Sequence, residues 1–191
     1  IVRLVVALAE AAGARVALAS PTGRAAKRLS EATGRPAGTI HRLLGWEPGG
    51  GRFAHDGARP LECDLLVVDE ISMLDCVLAH HLFKAVRSPT RLVCVGDPDQ
   101  LPSVGAGNVL RDLIECGRLP VHRLTRIFRQ QGGSLIVENA HRILAGEQPI
   151  EPERGDLEAD FFVFPADDPA ECARLTVEVV SERIPKRFGL D

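Results

Sequence analysis

The chain has 191 residues, 45% of them hydrophobic and 26% charged, with a formal net charge of −3. That length suits one sizeable domain, or one domain with appendages, and the balance excludes a disordered or fibrous chain. The charge excludes a uniformly basic nucleic-acid binder, so any such site has to be a local patch.

In chain order, the apolar patterns predict a helix over 1–12, stopped by Gly13, then a strand over 15–19. Arg3 and Glu10 interrupt the first apolar stretch and no cleavage pattern follows it, so it does not read as a signal peptide. A helix over 23–33 and a short helix over 39–44 lead to a Gly/Pro-rich insert over 45–62. A strand (64–69), a helix (73–87) and a strand (91–96) come next. A long loop is followed by a helix (about 105–116), a short strand (121–124) and a helix (134–145). Residues 146–160 read as a polar, acidic surface connection before a strand (161–164) and a helix (168–183). Ile184-Pro185-Lys186-Arg187-Phe188-Gly189 is expected to end that helix. Strands alternating with helices predict an α/β fold with a mainly parallel sheet flanked by helices. No run reaches membrane-spanning length, so no membrane partner is expected. The chain opens without methionine in mid-helix, which implies a preceding segment.

The chemistry concentrates at the ends of two apolar runs. Leu65-Leu66-Val67-Val68 ends in Asp69-Glu70, and Leu92-Val93-Cys94-Val95-Gly96 ends in Asp97, with Gln100 three residues on. Unbroken β-favouring runs read as strands buried on both faces, and ligands bind outside the carboxyl ends of such strands. An Asp-Glu pair there suits nucleoside triphosphate hydrolysis, one carboxylate holding a metal and the other activating water. Ala19-Ser20-Pro21-Thr22-Gly23-Arg24 lies where a strand becomes a helix; it suits either a phosphate site or a plain helix cap. Thr39 and His41 carry the same two readings: a cap with a core-edge histidine, or a contact. Trp46 and Phe53 flank Gly49-Gly50-Gly51, which predicts a small projecting hairpin or, failing that, a loop. His80-His81 reads as helix surface. Cys63, Cys76, Cys94, Cys116 and Cys172 are odd in number and lack metal-ligand spacing, so they read as buried free thiols of a reducing cytoplasm.

The order SPTGRAA, TIHRLL, LLVVDEISML, VGDPDQLPSVGAGNVL, LTRIFRQ resembles the motif order of superfamily 1 helicases, in particular the RecD-like, 5′-to-3′ branch. The resemblance covers essentially the whole chain and implies a RecA-like NTPase fold acting on single-stranded DNA and duplex junctions, with possible links to repair or recombination proteins. It implies ATP and Mg²⁺ as cofactors. Asp69 would hold Mg²⁺, Glu70 would activate water, Gln100 would sense the γ-phosphate, and Arg129 would stabilise transition-state charge, with Arg126 as its competitor. Pro21, Thr22, Gly23, Thr39 and His41 would touch the DNA backbone. The loop Leu101, Pro102, Ser103, Val104, Gly105 to Asn108 would couple the two sites, and the 45–62 insert, with Trp46 and Phe53, would be a wedge. One departure is plain: no GxxxxGKS or GxxxxGKT phosphate loop occurs in these residues. Residues 1–191 therefore read as an N-terminally truncated first motor domain, inactive alone. The alternatives are the RecD subunit of a helicase–nuclease complex and a non-hydrolysing DNA-binding module.

Overall fold

The computed structural model describes residues 1–124, 134–153, 156 and 159–190. They divide into two compact units, 1–123 and 124–191.

In the first unit, helix α1 (Val2–Ala11) precedes strand β1 (Val16–Ser20), helix α2 (Gly23–Thr33), strand β2 (Gly38–Thr39) and helix α3 (Ile40–Leu43). The hairpin strands β3 (Trp46–Glu47) and β4 (Arg52–Phe53) follow, then β5 (Leu65–Val68), a tight helical turn over Ile71–Met73 and helix α4 (Cys76–Ala85). Strand β6 (Arg91–Cys94) and helix α5 (Val109–Glu115) complete it. The main sheet has the order β2-β1-β5-β6 with every pair parallel.

The unbroken apolar runs are explained by two cores, one on each face. Leu66 and Val68 of β5 join Ala19, Ile40, Leu78 and Leu82 in the larger one. Leu65 and Val67 point the other way, toward Val6 of α1, Leu18 of β1 and Leu29 of α2. Leu66, Val67 and Val68 are fully buried, each contributing about 1.5–3 kcal/mol of transfer free energy. At the strand entry, Asp64 accepts from the Arg15 guanidinium at 3.1 Å. That hydrogen bond holds the Asp64 carboxyl below its ordinary value.

The second unit holds α6 (Leu135–Leu144), α7 (Pro169–Glu178), a π-helical turn over Val179–Arg183 and α8 (Ile184–Phe188). Buried Asn139 serves both backbone groups of Ile150, donating to its carbonyl at 2.8 Å and accepting its N–H at 2.6 Å.

Four sequence expectations change here. The helix does end within 184–189, at left-handed Gly189, but not at Pro185: the Ile184 N–H bonds back to Val179 O, a wider turn that carries the helix past a residue lacking a donor. Residues 121–124 form no strand; they follow Pro120 and are all exposed. Residues 161–164 also form none, and Phe162 and Phe164 instead lie beneath the Arg187 and Arg183 guanidiniums at 5.6 and 5.5 Å. The cysteines divide too: Cys63 is buried and Cys94 half-buried, while Cys76, Cys116 and Cys172 are exposed. No helix among the described residues is long and apolar enough to cross a membrane.

Candidate functional site

Parallel pairing brings the carboxyl ends of β1, β5 and β6 to one edge of the sheet. Val68 lies beside Ala19 on one side and Cys94 on the other. One residue beyond, the Asp69 N–H donates to Ala19 O at 2.9 Å, so the backbone ladder fixes the first acid. Asp69 Oδ1 accepts the Glu70 N–H at 3.0 Å. Glu70 then turns into the left-handed region, at φ 55° and ψ 39°, alone among the described non-glycine residues. An extended side chain in that region costs of order 1–3 kcal/mol and persists where the surroundings enforce it, typically at functional sites. Here the enforcing bonds are Ile71 N–H to Val95 O at 3.0 Å and Met73 N–H to Glu70 O at 3.1 Å. Both acids are half-buried.

Beyond β6, the Asp97 carboxylate shapes the next loop. It accepts the Asp99 N–H at 3.0 Å, and its other oxygen lies 3.5 Å from the Gln100 amide nitrogen. Gln100 is exposed at this edge. The following loop docks on the start of α4: the Cys76 N–H donates to Ala106 O at 2.9 Å. Ser103 Oγ lies 2.9 Å from Gly105 O and 3.1 Å from Gly107 O and can donate to either, closing the loop on itself. Gly107 has φ +102°, and a Cβ there would overlap the Cys76 sulfur. Leu101, Pro102 and Val104 stay exposed, Gly105 lies against Asp75, and Asn108 caps α5 through the Arg111 N–H.

Ser20 and Thr39 are register partners, so the Pro21-Thr22-Gly23 turn and the Thr39–His41 turn lie side by side. Thr22 accepts the Ala25 N–H at 3.3 Å and Thr39 accepts the Arg42 N–H at 3.1 Å. Both are therefore caps, yet an accepting hydroxyl still has a proton to donate outward. A Cβ at Gly23 would meet nothing within 4 Å, so packing does not require glycine there. His41 is exposed and its ring is 6.3 Å from Trp46 and 5.8 Å from Phe53. The hairpin pairs Trp46 with Phe53, while its tip is Pro48–Gly51. Trp46 and Phe53 thus stand at its base, Trp46 exposed and Phe53 packed against the larger core. Arg129 and Arg126 lie outside the described residues.

Two hydroxyls at this edge stand out, one on Ser20 of the turn motif already noted and one on Ser72, which the sequence does not mark. Ser20 and Ser72 carry buried hydroxyls with no partner. For Ser20 the signal is a hydroxyl at the end of an apolar run, which ordinary cap chemistry also produces; Ser72, between Ile71 and Met73, gives none. Orphan polar groups of this kind imply a water or ligand that completes them. The donor set also suits Mg²⁺, which takes one or two carboxylates and fills its remaining positions with water and substrate phosphate. Among the described residues no group of three or more His, Cys, Asp or Glu side chains could hold a metal alone. A cation at Asp69 would therefore depend on phosphate oxygens.

Residues 1–106 match the model of a family described as AAA domain. The chain belongs to that family. Within it, the chain is RecD-like. The ATP-dependent RecD2 DNA helicase of Deinococcus radiodurans is 46% identical over 142 residues, which are 74% of this chain and 19% of that protein. The RecBCD enzyme subunit RecD of Mycolicibacterium smegmatis is 49% identical over 126 residues, 57% of this chain and 23% of that protein. This RecD-like chain thus spans about a fifth of the length of the relatives it matches. A crystal structure of Bacteroides sp Pif1 in complex with ADP-AlF4 aligns at a TM-score of 0.52 and 19% identity, covering 94% of this chain and 50% of that one. That likeness shows the fold, a RecA-like sheet flanked by helices.

Proposed function

We propose that this chain is most of the first motor domain of an ATP-dependent DNA helicase that moves 5′ to 3′ on single strands and parts duplexes. The observation that carries the reading is the joint placement of Asp69, Glu70 and Gln100 at one sheet edge, with a loop from Gln100 docked on the helix after the acids. In this reading Asp69 holds Mg²⁺ and Glu70 orients and deprotonates the attacking water. Gln100 touches the terminal phosphate through a neutral amide, and Arg129 spreads transition-state charge from outside the described residues. The bound metal would supply charge neutralisation at the phosphates. The lysine and backbone donors of a phosphate loop are absent from these 191 residues, so residues 1–191 by themselves neither hold ATP well nor hydrolyse it. Pro21, Thr22, Gly23, Thr39 and His41 meet the DNA backbone, and the 45–62 hairpin is the wedge. Five free thiols suit a reducing cytoplasm, such as a bacterial cytosol.

A second reading, the RecD subunit of a recombination helicase–nuclease complex, is favoured by the 49% identity to a RecBCD subunit. Strand separation by the whole protein tests the main reading. Duplexes with a 5′ single-stranded tail should be unwound and those with a 3′ tail should not. Equal activity on both, or on neither in the presence of ATP and Mg²⁺, would refute it. Unwinding only in the presence of companion subunits would favour the second reading.

A further inference from the structure

We propose that His81 is a positioning residue for strand separation: it clamps the 46–53 hairpin to helix α4. The inference rests on the reading of that hairpin as the wedge. Two paired residues per strand cannot hold a hairpin rigid, and a two-stranded ribbon is at best marginal without packing. Its tip is glycine-rich, and its one ion pair, Arg52 to Glu47 at 3.0 Å, is exposed. Support has to come from rings at the base. Phe53 lies 4.8 Å from Trp46 and 4.7 Å from His81, centroid to centroid, with the His81 plane tilted 50°.

Helix α4 is a firm anchor, because Leu78, Ala79, Leu82 and Ala85 bury its inner face. His81 belongs to the same helix and is half-buried against the hairpin, whereas neighbouring His80 is exposed. The sequence reading of both as mere helix surface therefore holds for His80 alone. The insert is tied to this helix a second time, where the Leu61 N–H donates to Ala85 O at 2.8 Å. At its other end α4 starts six residues beyond Glu70 and receives the loop from Gln100 through Cys76 and Ala106. A single rigid element thus touches the nucleotide edge at its start and the hairpin near its middle. His81 supplies the ring on α4 that meets Phe53 of the hairpin, and it stands outside the nucleotide and DNA residues named above.

The test uses the whole protein, with His81→Ala, His81→Phe and a hairpin-shortened control. His81→Ala should lower duplex unwinding about five-fold or more, while ATP turnover stimulated by single-stranded DNA stays at the parental level. Amide hydrogen exchange over residues 45–55 should quicken in the same variant. His81→Phe keeps a ring against Phe53 and should restore both unwinding and protection. If the control loses unwinding but His81→Ala unwinds at the parental rate, the clamp is overturned and the wedge stands. If the control itself unwinds normally, the wedge reading falls and the clamp with it. Equal loss of turnover and unwinding in His81→Ala without rescue by phenylalanine would make His81 a general structural residue and overturn the proposal.

Discussion

Burial pushes the Cys94 thiol up to about 11, and it raises Cys63 in the same direction, with Asp64 adding to the shift and Arg15 opposing it. A raised thiol pKa favours the native state while the unfolded chain is also protonated. That contribution is whole below the ordinary value of 9.0 and is lost as pH climbs toward about 11. The chain has no tyrosine, which removes one class of group that titrates in this window. The urea midpoint should therefore fall across it, and more shallowly in Cys94→Ala even though that variant starts less stable. Identical slopes would refute the assignment. At Gly107 the constraint is steric: φ +102° and the Cys76 sulfur both oppose a Cβ. Gly107→Ala should cost of order 1–3 kcal/mol in a denaturant titration. Adding Cys76→Gly should recover part of that loss, by relieving the overlap but not the dihedral. A neutral Gly107→Ala would show that the loop does not dock on α4.

At the scale of elements, what the sequence made legible followed physical signals of unequal strength. The run at 65–68 is readable as a parallel strand because burial on both faces removes polar alternation, whereas the strand at 91–94, last in the described sheet, is only half-buried behind an exposed Arg91. The start of helix α2 is readable from Thr22 as its cap, and the structure adds left-handed Gly34 at its end. The strands expected at 121–124 and 161–164 rested on a few apolar residues, and apolar character alone cannot say whether a partner edge exists. The π-helical turn before Pro185 was invisible for a similar reason: a missing donor ends a helix only when nothing widens the turn. In the site, Asp69, Glu70 and Gln100 were legible from their positions after strands, whereas Ser20, Ser72 and the ring contact of His81 required tertiary packing. The hairpin was signalled by three glycines, but the inward turn of Phe53 was not. Gly45 supports the hairpin at φ +67°, where a Cβ would stand 2.8 Å from that of Ala54. Replacing residues 46–60 by a tight turn should spare ATP turnover stimulated by single-stranded DNA and impair strand separation. Unwinding at the parental rate would make the segment an ordinary surface loop.

For the whole molecule, the division of labour is between faces and edge. Two cores hold a four-stranded parallel sheet, and its carboxyl edge gathers two acids, a glutamine loop and two threonine-capped turns. The chain carrying this arrangement belongs to the AAA domain family and is similar to RecD-type proteins; under the proposed helicase activity, nucleotide and DNA would be read by adjacent turns of this edge. Glu70 is the residue on which this depends most, since its left-handed backbone ends the strand and starts the turn into α4. The most direct measurement is ATP turnover of Glu70→Gln in the whole protein, with single-stranded DNA present, alongside ATP and DNA affinities. The amide keeps size and hydrogen bonding but cannot take the proton, so both affinities should persist while turnover falls by roughly 10²-fold or more. Turnover near the parental rate with affinities unchanged would place the general base elsewhere and contradict the assignment of this edge as the hydrolytic site.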